Sequence, residues 1–119
     1  MNILLVEDEG FILDCISQIL IKEGYSVFTA EDYDNAIDII NTKEIEMIIS
    51  DVMLPYTGGF DIVEFVRNDS TKKDIPIILI TGMDENILQN TNIQANTCII
   101  KPFTSNQLLA AIKKFTLVS

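Results

Sequence analysis

Short apolar runs alternate with segments of helical periodicity five times along this chain, and this alternation constrains the fold more than any other feature. Strands that alternate with helices form a parallel sheet that is covered on both faces, and burial on both faces requires nearly continuous apolar strands. The sequence therefore predicts an α/β fold with a doubly wound, five-stranded parallel sheet in one domain, residues 1–119. The predicted strands are Ile3–Val6, Ser26–Ala30, Met47–Ile49, Pro76–Ile80 and Thr97–Ile100.

Amphipathic patterns predict a helix after each strand. In the first, from Gly10 to Glu23, the apolar stripe is expected at positions 12, 15, 16, 19 and 20, and Gly24 ends the helix. The other helices are predicted after a cap at Asp32, from Phe60, from Asp84 to about Asn92, and after a cap at Ser105.

Composition excludes several classes of function. Eighteen acidic and eight basic residues give a net charge of −10, which repels phosphate backbones, so we expect no direct nucleic-acid partner. The chain contains no His, which removes Ser-His triads and His-ligated zinc. No apolar run approaches the roughly 18 residues of a membrane span, and no secretion signal is recognisable, so we expect a cytoplasmic protein without membrane contact. Cys15 and Cys98 are interpreted as small buried residues in a reducing compartment.

Chemically useful side chains stand directly after the predicted strands: Glu7, Asp8, Asp51, Thr81 and Lys101. The strand order 2-1-3-4-5 fits a chain of this length best, and it makes the first and third strands neighbours about 5 Å apart. The three acids would then converge, and their repulsion would raise a pKa unless a cation such as Mg²⁺ neutralised them. With the hydroxyl and the ammonium close by, this set suits phosphoryl transfer.

Each of these residues also has an ordinary structural interpretation. Acids after a strand are usually solvated turns or helix caps, and a Lys-Pro pair is usually a surface turn. Their arrival at the same end of one sheet, in the required order, favours a functional site.

Four motifs identify a family resemblance over essentially the whole chain. They are ILLVEDE, IISDVMLP with Gly59 eight residues past Asp51, ILITG and IIKPF. With them the chain resembles the receiver domain of two-component response regulators, a flavodoxin-like fold with strand order 2-1-3-4-5. The resemblance implies that Asp51 is the phosphoacceptor and attacks a phosphohistidine on a partner sensor histidine kinase or histidine phosphotransfer protein.

The resemblance also implies a magnesium site. Asp8, Asp51 and the backbone carbonyl of Met53 match the direct Mg²⁺ ligands, and Glu7 matches the acid that holds the metal through water.

Around this site, Lys101 matches the lysine that pairs with the phosphoryl group, and its bond to Pro102 is expected to be cis. Thr81 matches the switch hydroxyl, whose movement changes the surface formed by the fourth predicted helix, the fifth strand and the last helix. Family members usually have Tyr or Phe three residues before the lysine, where this chain has Cys98. A thiol changes little surface when it rotates, so either the signal output is altered or a small residue has replaced the aromatic by drift.

Two thioethers occupy the positions that, in the family, tune the attack of water on the acyl phosphate. Met53 lies two residues past Asp51 and Met83 two past Thr81, which predicts slow self-dephosphorylation. Gly82 is expected to leave the phosphoryl entrance open.

Leu13, Ser17 and Ile21 recur at helical spacing on the first helix, on a face predicted to point away from the core. This strip predicts either a docking surface for a kinase helix or incidental surface apolarity.

Two other functions are considered. A degenerate receiver would dock partners without phosphorylation, but it would be expected to lack Asp51, Lys101 or an acid of the metal pair. A Mg²⁺-dependent phosphatase with an Asp nucleophile needs a second acid two residues after it, where this chain has Met53. The downstream partner is expected to be a separate protein or an output domain.

Overall fold

The computed structural model describes residues 1–52, 58–82 and 95–116. Its sheet has five parallel strands in the order β2-β1-β3-β4-β5, which confirms the predicted doubly wound, flavodoxin-like arrangement. The strands are β1 (Asn2–Val6), β2 (Ser26–Ala30), β3 (Met47–Asp51), β4 (Ile77–Thr81) and β5 (Thr97–Ile100).

Four helices are described, and they pack on both faces of the sheet. They are α1 (Gly10–Lys22), α2 (Tyr33–Thr42), α3 (Gly59–Asn68) and α4 (Ser105–Thr116). Asp32 caps α2 as predicted, since its Oδ1 accepts a hydrogen bond from the Asn35 N–H at 2.9 Å. The helix predicted at 84–92 lies outside the described residues.

The expected cap at the start of α4 is wrong by one residue. Ser105 is already helical, and the cap is Thr104, whose Oγ1 accepts from the Gln107 N–H at 3.1 Å. The Gln107 Oε1 accepts in return from the Thr104 N–H at 2.8 Å. This reciprocal pair is the capping box of a Thr-x-x-Gln sequence, which satisfies two backbone donors where a lone Ser would satisfy one.

Alternate residues of the strands form two apolar cores, one on each face of the sheet. Every residue of β3 and β4 is buried, as the continuous apolar runs predicted. On one face the strands pack against α1 and α4, through residues such as Leu5, Ile49, Ile16, Leu20 and Leu108. On the other face they pack against α2 and α3, through residues such as Leu4, Ile48, Ile40, Ile62 and Val66. Because both faces are covered, the ends of the strands are left for function.

The predicted strip on α1 does not form one exposed face. Leu13 is 8% exposed and lies in the core with Ile16 and Leu20, so the prediction that it faces outward is wrong. The Ser17 hydroxyl oxygen is buried and has no hydrogen-bond partner among the described residues, whereas Ile21 is 55% exposed. Cys15, which was predicted to be buried, is exposed. Apolar residues at 11, 12, 13, 15, 16, 19, 20 and 21 cover most of the helix circumference, so periodicity alone could not identify the inward face.

None of the helices in the described ranges has both the length and the apolar character that a membrane span requires.

Candidate functional site

Three carboxylates meet at the carboxyl ends of β1 and β3. Glu7 and Asp8 directly follow β1, and Asp51 is the last residue of β3. The two strands are paired up to Val6 and Ser50, the residues just before these acids. One carboxylate oxygen from each acid lies within 4.8 Å of the others. Glu7 is only 1% exposed and Asp51 5%, whereas Asp8 is exposed to solvent. The predicted convergence of the three acids is confirmed.

The Lys101 ammonium reaches into this cluster from the carboxyl end of β5, which is an edge strand of the sheet. Its Nζ lies 2.7 Å from Asp51 Oδ2 and 3.3 Å from Glu7 Oε2. The residue follows β5, and its backbone N–H donates to the Thr81 carbonyl at 2.7 Å, which aligns it with the end of β4. The Lys101–Pro102 peptide bond is cis, the isomer that the resemblance implied.

Burial and crowding set the charge state of this cluster. Burial, followed by the hydrogen bond to Asp51 and the charge of Asp51, raises the pKa of Glu7 to about 7. Burial would by itself lower the pKa of Lys101, but the hydrogen bond to Asp51 and the charges of Asp51 and Glu7 outweigh it and raise that pKa above its ordinary value. Lys101 is therefore held in its cationic form, and its ammonium contacts the carboxylates of both buried acids, Glu7 and Asp51.

The end of β4 places a hydroxyl beside the end of β3. Thr81 is the last residue of β4 and is fully buried. Its neighbour Ile80 pairs with Asp51, and the Ile80 carbonyl accepts from the Val52 N–H at 2.9 Å. A Cβ added at Gly82 would meet none of the described residues within 4 Å. The open entrance expected there stays a prediction, because residues 83–94 lie outside the described ranges.

The first turn of α3 packs directly on the backbone of Asp51. The Gly59 N–H donates to the Val52 carbonyl at 2.8 Å, and a Cβ at Gly59 would collide with the Asp51 carbonyl oxygen. The same carbonyl accepts from the Ser50 hydroxyl at 3.0 Å. Gly59 belongs to the sequence motif through its spacing from Asp51, and the structure supplies the reason for it, since only a residue without a Cβ allows this approach.

The donor set suits a hard divalent cation. All three acids offer oxygen, the ligand type that Mg²⁺ prefers, and Mg²⁺ commonly binds through one or two carboxylates and retains several waters. Among the described residues, one ammonium, that of Lys101, contacts these acids, and burial together with the neighbouring Asp51 raises the pKa of Glu7. Met53, expected to contribute a carbonyl, lies outside the described residues, as does Met83.

Cys98 stands on β5, opposite Leu79 of β4, and packs half-buried against the core. Burial raises the pKa of its thiol. It therefore behaves as a neutral apolar side chain, and its effect on signal output stays a prediction.

Sequence reasoning missed Phe11 as a candidate functional residue. Phe11 is 78% exposed on the first turn of α1, three residues after Asp8. A large apolar side chain exposed beside a polar site indicates a binding surface. To recognise Phe11 from the sequence, one must know which face of α1 points outward, and the apolar pattern of α1 does not show this.

Comparisons with known proteins agree with this geometry. The family model described as "Response regulator receiver domain" matches residues 3–113. The phosphate regulon transcriptional regulatory protein PhoB of Escherichia coli is 34% identical over 114 residues, which are 94% of this chain and 50% of that protein. This chain thus spans about half the length of the curated relatives it matches.

Solved structures show the same fold. The chemotaxis response regulator CheY4 of Vibrio cholerae superposes with a TM-score of 0.87 at 31% identity, covering 95% of this chain and 96% of that one. The receiver domain of the sensor histidine kinase PA1611 from Pseudomonas aeruginosa, solved with a magnesium ion in its active-site cleft, has a TM-score of 0.85 at 25% identity, covering 95% of this chain and 94% of that one.

Proposed function

Because this chain belongs to the response regulator receiver domain family, we propose that it is a phosphorylation-controlled signalling switch whose phosphoacceptor is Asp51. The phosphoryl donor is a phosphohistidine on a sensor histidine kinase or a histidine phosphotransfer protein. The proposal rests above all on the Lys101 ammonium, which lies 2.7 Å from Asp51 Oδ2 in a pocket that also holds Glu7 and Asp8. The proposed compartment is the cytoplasm, which suits the two free thiols.

In the proposed reaction an Asp51 carboxylate oxygen attacks phosphorus while the bond from phosphorus to the histidine nitrogen breaks. The imidazole leaves with that electron pair, and an acyl phosphate remains on Asp51. The Lys101 ammonium, already paired with Asp51, can pair with the incoming phosphoryl oxygens with little rearrangement. Asp8 and Asp51 would hold a Mg²⁺ ion directly and Glu7 would hold it through water, and the ion would supply further positive charge to those oxygens.

The switch is proposed to begin at Thr81. Its place at the end of the strand next to Asp51 allows its hydroxyl to donate to a phosphoryl oxygen. Movement there would be transmitted to β5, because Lys101 N–H is bonded to the Thr81 carbonyl. Cys98, on the same strand, is too small to move as an aromatic ring would, so we propose that backbone shifts of β5 transmit the signal to a partner or output domain.

The presence and arrangement of Asp51, Lys101 and both metal-binding acids speak against a degenerate receiver. Met53, where an Asp-nucleophile phosphatase needs a second acid, speaks against that enzyme.

The decisive experiment is labelling by acetyl phosphate with Mg²⁺, followed by intact-mass analysis. Wild type should gain one phosphoryl group, and Asp51→Asn, which keeps the shape of the side chain, should gain none. A chelator should abolish labelling of wild type. Equal labelling of Asp51→Asn and wild type would refute the proposal.

We also propose that the acyl phosphate is long-lived, since Met53 and Met83 provide no group that activates water. Loss of the mass gain in Mg²⁺ buffer should take minutes or longer, and decay within seconds would contradict this expectation.

A further inference from the structure

A second concave surface lies between α2 and α3 and involves none of the acceptor residues. It is a groove of about 560 Å³, within the roughly 300–1,000 Å³ range of ligand sites. Its lining consists of Tyr33, Asp61, Glu64, Phe65, Asn68 and Asp69.

Two aromatic rings form the apolar part of this groove. Tyr33 is the first residue of α2, and Phe65 lies in the middle of α3. Both are half-buried against the core that α2 and α3 share, so their positions are held while part of each side chain faces the groove. Asp61, Glu64 and Asn68 lie with Phe65 at i, i+3, i+4 and i+7, a single face of α3 that runs along the groove.

The polar part of the groove is acidic and lacks an internal counter-ion. Among the described residues that line it there is no Lys or Arg. Asp69 pairs with Lys72 at 3.7 Å, but Glu64 is exposed and makes no ion pair within the described ranges. Arg67, on the same helix, donates instead to the backbone carbonyls of Lys73 and Ile75, each at 2.8 Å.

Aromatic faces beside a carboxylate without an ion-pair partner in the described part of the chain, here Glu64, are complementary to a planar cation, whereas Asp61 already accepts a hydrogen bond from the Gly58 N–H at 3.1 Å. A guanidinium stacks on an aromatic ring through its charge and its plane, and its edge donates two parallel hydrogen bonds to a carboxylate. An ammonium can make the ion pair but cannot stack as a plane. The net charge of −10 attracts a basic partner over a longer range.

We propose that the α2–α3 groove docks an arginine side chain from a basic segment of a partner protein. The guanidinium lies against Tyr33 or Phe65 and pairs with Glu64, with Asp61 as the neighbouring acid. The groove shares no residue with the acceptor cluster, so this binding does not require phosphorylation of Asp51.

The test is an NMR titration of the full chain with a hexapeptide of alternating Arg and Ala, with the Lys counterpart measured in parallel. Shift changes should be concentrated at the six groove residues, and the Arg peptide should bind several-fold more tightly than the Lys peptide. Glu64→Gln should weaken binding about threefold to tenfold, and Phe65→Leu, which removes the aromatic ring but keeps an apolar side chain there, should weaken it by a similar factor.

The matched control is Glu23→Gln, which removes the same charge from an exposed residue at the end of α1. It should change affinity less than twofold. Equal losses in Glu64→Gln and Glu23→Gln, equal affinity for the two peptides, or shifts spread evenly over the acidic surface would each show non-specific attraction and overturn the proposal. Thermal unfolding of each variant verifies that it is folded.

Discussion

At the scale of single residues, the site depends on how differently three similar acids are buried. Glu7 is withdrawn from water beside Asp51, whereas Asp8 remains in solvent. Burial disfavours the charged form of Glu7, and the nearby carboxylate disfavours it further, so its pKa rises to about 7 although Lys101 opposes the shift. Glu7 is therefore the acid whose charge the fold tolerates least without a metal.

This predicts a pH dependence of stability in metal-free buffer. Since the pKa of Glu7 is higher in the folded chain than its ordinary value of 4.5, its stabilising contribution is complete below pH 4.5 and is lost as pH rises through 7. The free energy of unfolding should fall by an amount on the order of 3 kcal/mol over that interval relative to Glu7→Gln. Urea unfolding of both proteins from pH 4.5 to 8 measures the difference, and parallel profiles would contradict the assigned pKa.

At the scale of elements, the start of α3 determines where the backbone of Asp51 lies. The helix begins against the end of β3, with Gly59 in contact with the Asp51 carbonyl and its N–H bonded to Val52. Packing at this junction thus restrains Asp51, although α3 contributes no side chain to the acid cluster.

Gly59→Ala should therefore destabilise the protein by about 1–3 kcal/mol, because the added methyl group meets backbone that cannot move aside easily. Labelling by acetyl phosphate should slow as Asp51 is displaced. Gly10→Ala is the matched control, since a Cβ there meets nothing within 4 Å and Ala favours the helix, so its stability should stay equal or rise. Urea unfolding compares the two variants, and equal stability of Gly59→Ala and wild type would be inconsistent with the contact.

The α1 helix supplies the second element-scale prediction. We propose that its exposed first turn, with Phe11 as the apolar anchor, docks the phosphoryl donor. Phe11→Ser should slow phosphotransfer from a phosphorylated kinase about tenfold or more and leave labelling by acetyl phosphate unchanged. Equal slowing with both donors would place the defect in the acceptor site. A charged residue in place of the buried Leu13, by contrast, would destabilise the core, so such a variant could not test docking.

At the scale of the whole molecule, acids outnumber bases and the cluster lies where several elements meet. Glu7 and Asp8 follow β1, Asp51 ends β3, and Lys101 follows β5, so unfolding separates the adjacent pair Glu7 and Asp8 from Asp51 and from Lys101. A cation bound there stabilises the entire fold, because the unfolded chain has no such site.

Mg²⁺ should accordingly raise the unfolding temperature of wild type, and the free energy gained should be about 2.7 kcal/mol when free Mg²⁺ is 100 times its dissociation constant. Asp8→Asn removes one carboxylate from the exposed side of the cluster and should lose most of this effect. Differential scanning calorimetry with and without Mg²⁺ measures it, and Glu46→Gln, an acid remote from the cluster, is the control. An equal rise in all three proteins would indicate general ionic screening.

The sequence by itself determined the number and order of the strands and the end of the sheet that holds the chemistry. Continuous apolar runs specify buried strands, and parallel strands necessarily bring the residues after them to one edge. For that reason the sequence alone groups Glu7, Asp8, Asp51 and Lys101.

Only the tertiary structure decided which of these groups lose water and which face of α1 is inward. Leu13 is buried and Phe11 exposed because of how α1 packs on the sheet, a choice that a nearly all-round apolar pattern leaves open. The elevated pKa of Glu7 and the ion pairs of Lys101 arise from groups up to 94 residues apart. Periodicity is a local property, whereas burial and charge pairing depend on distant segments that only the folded chain brings together.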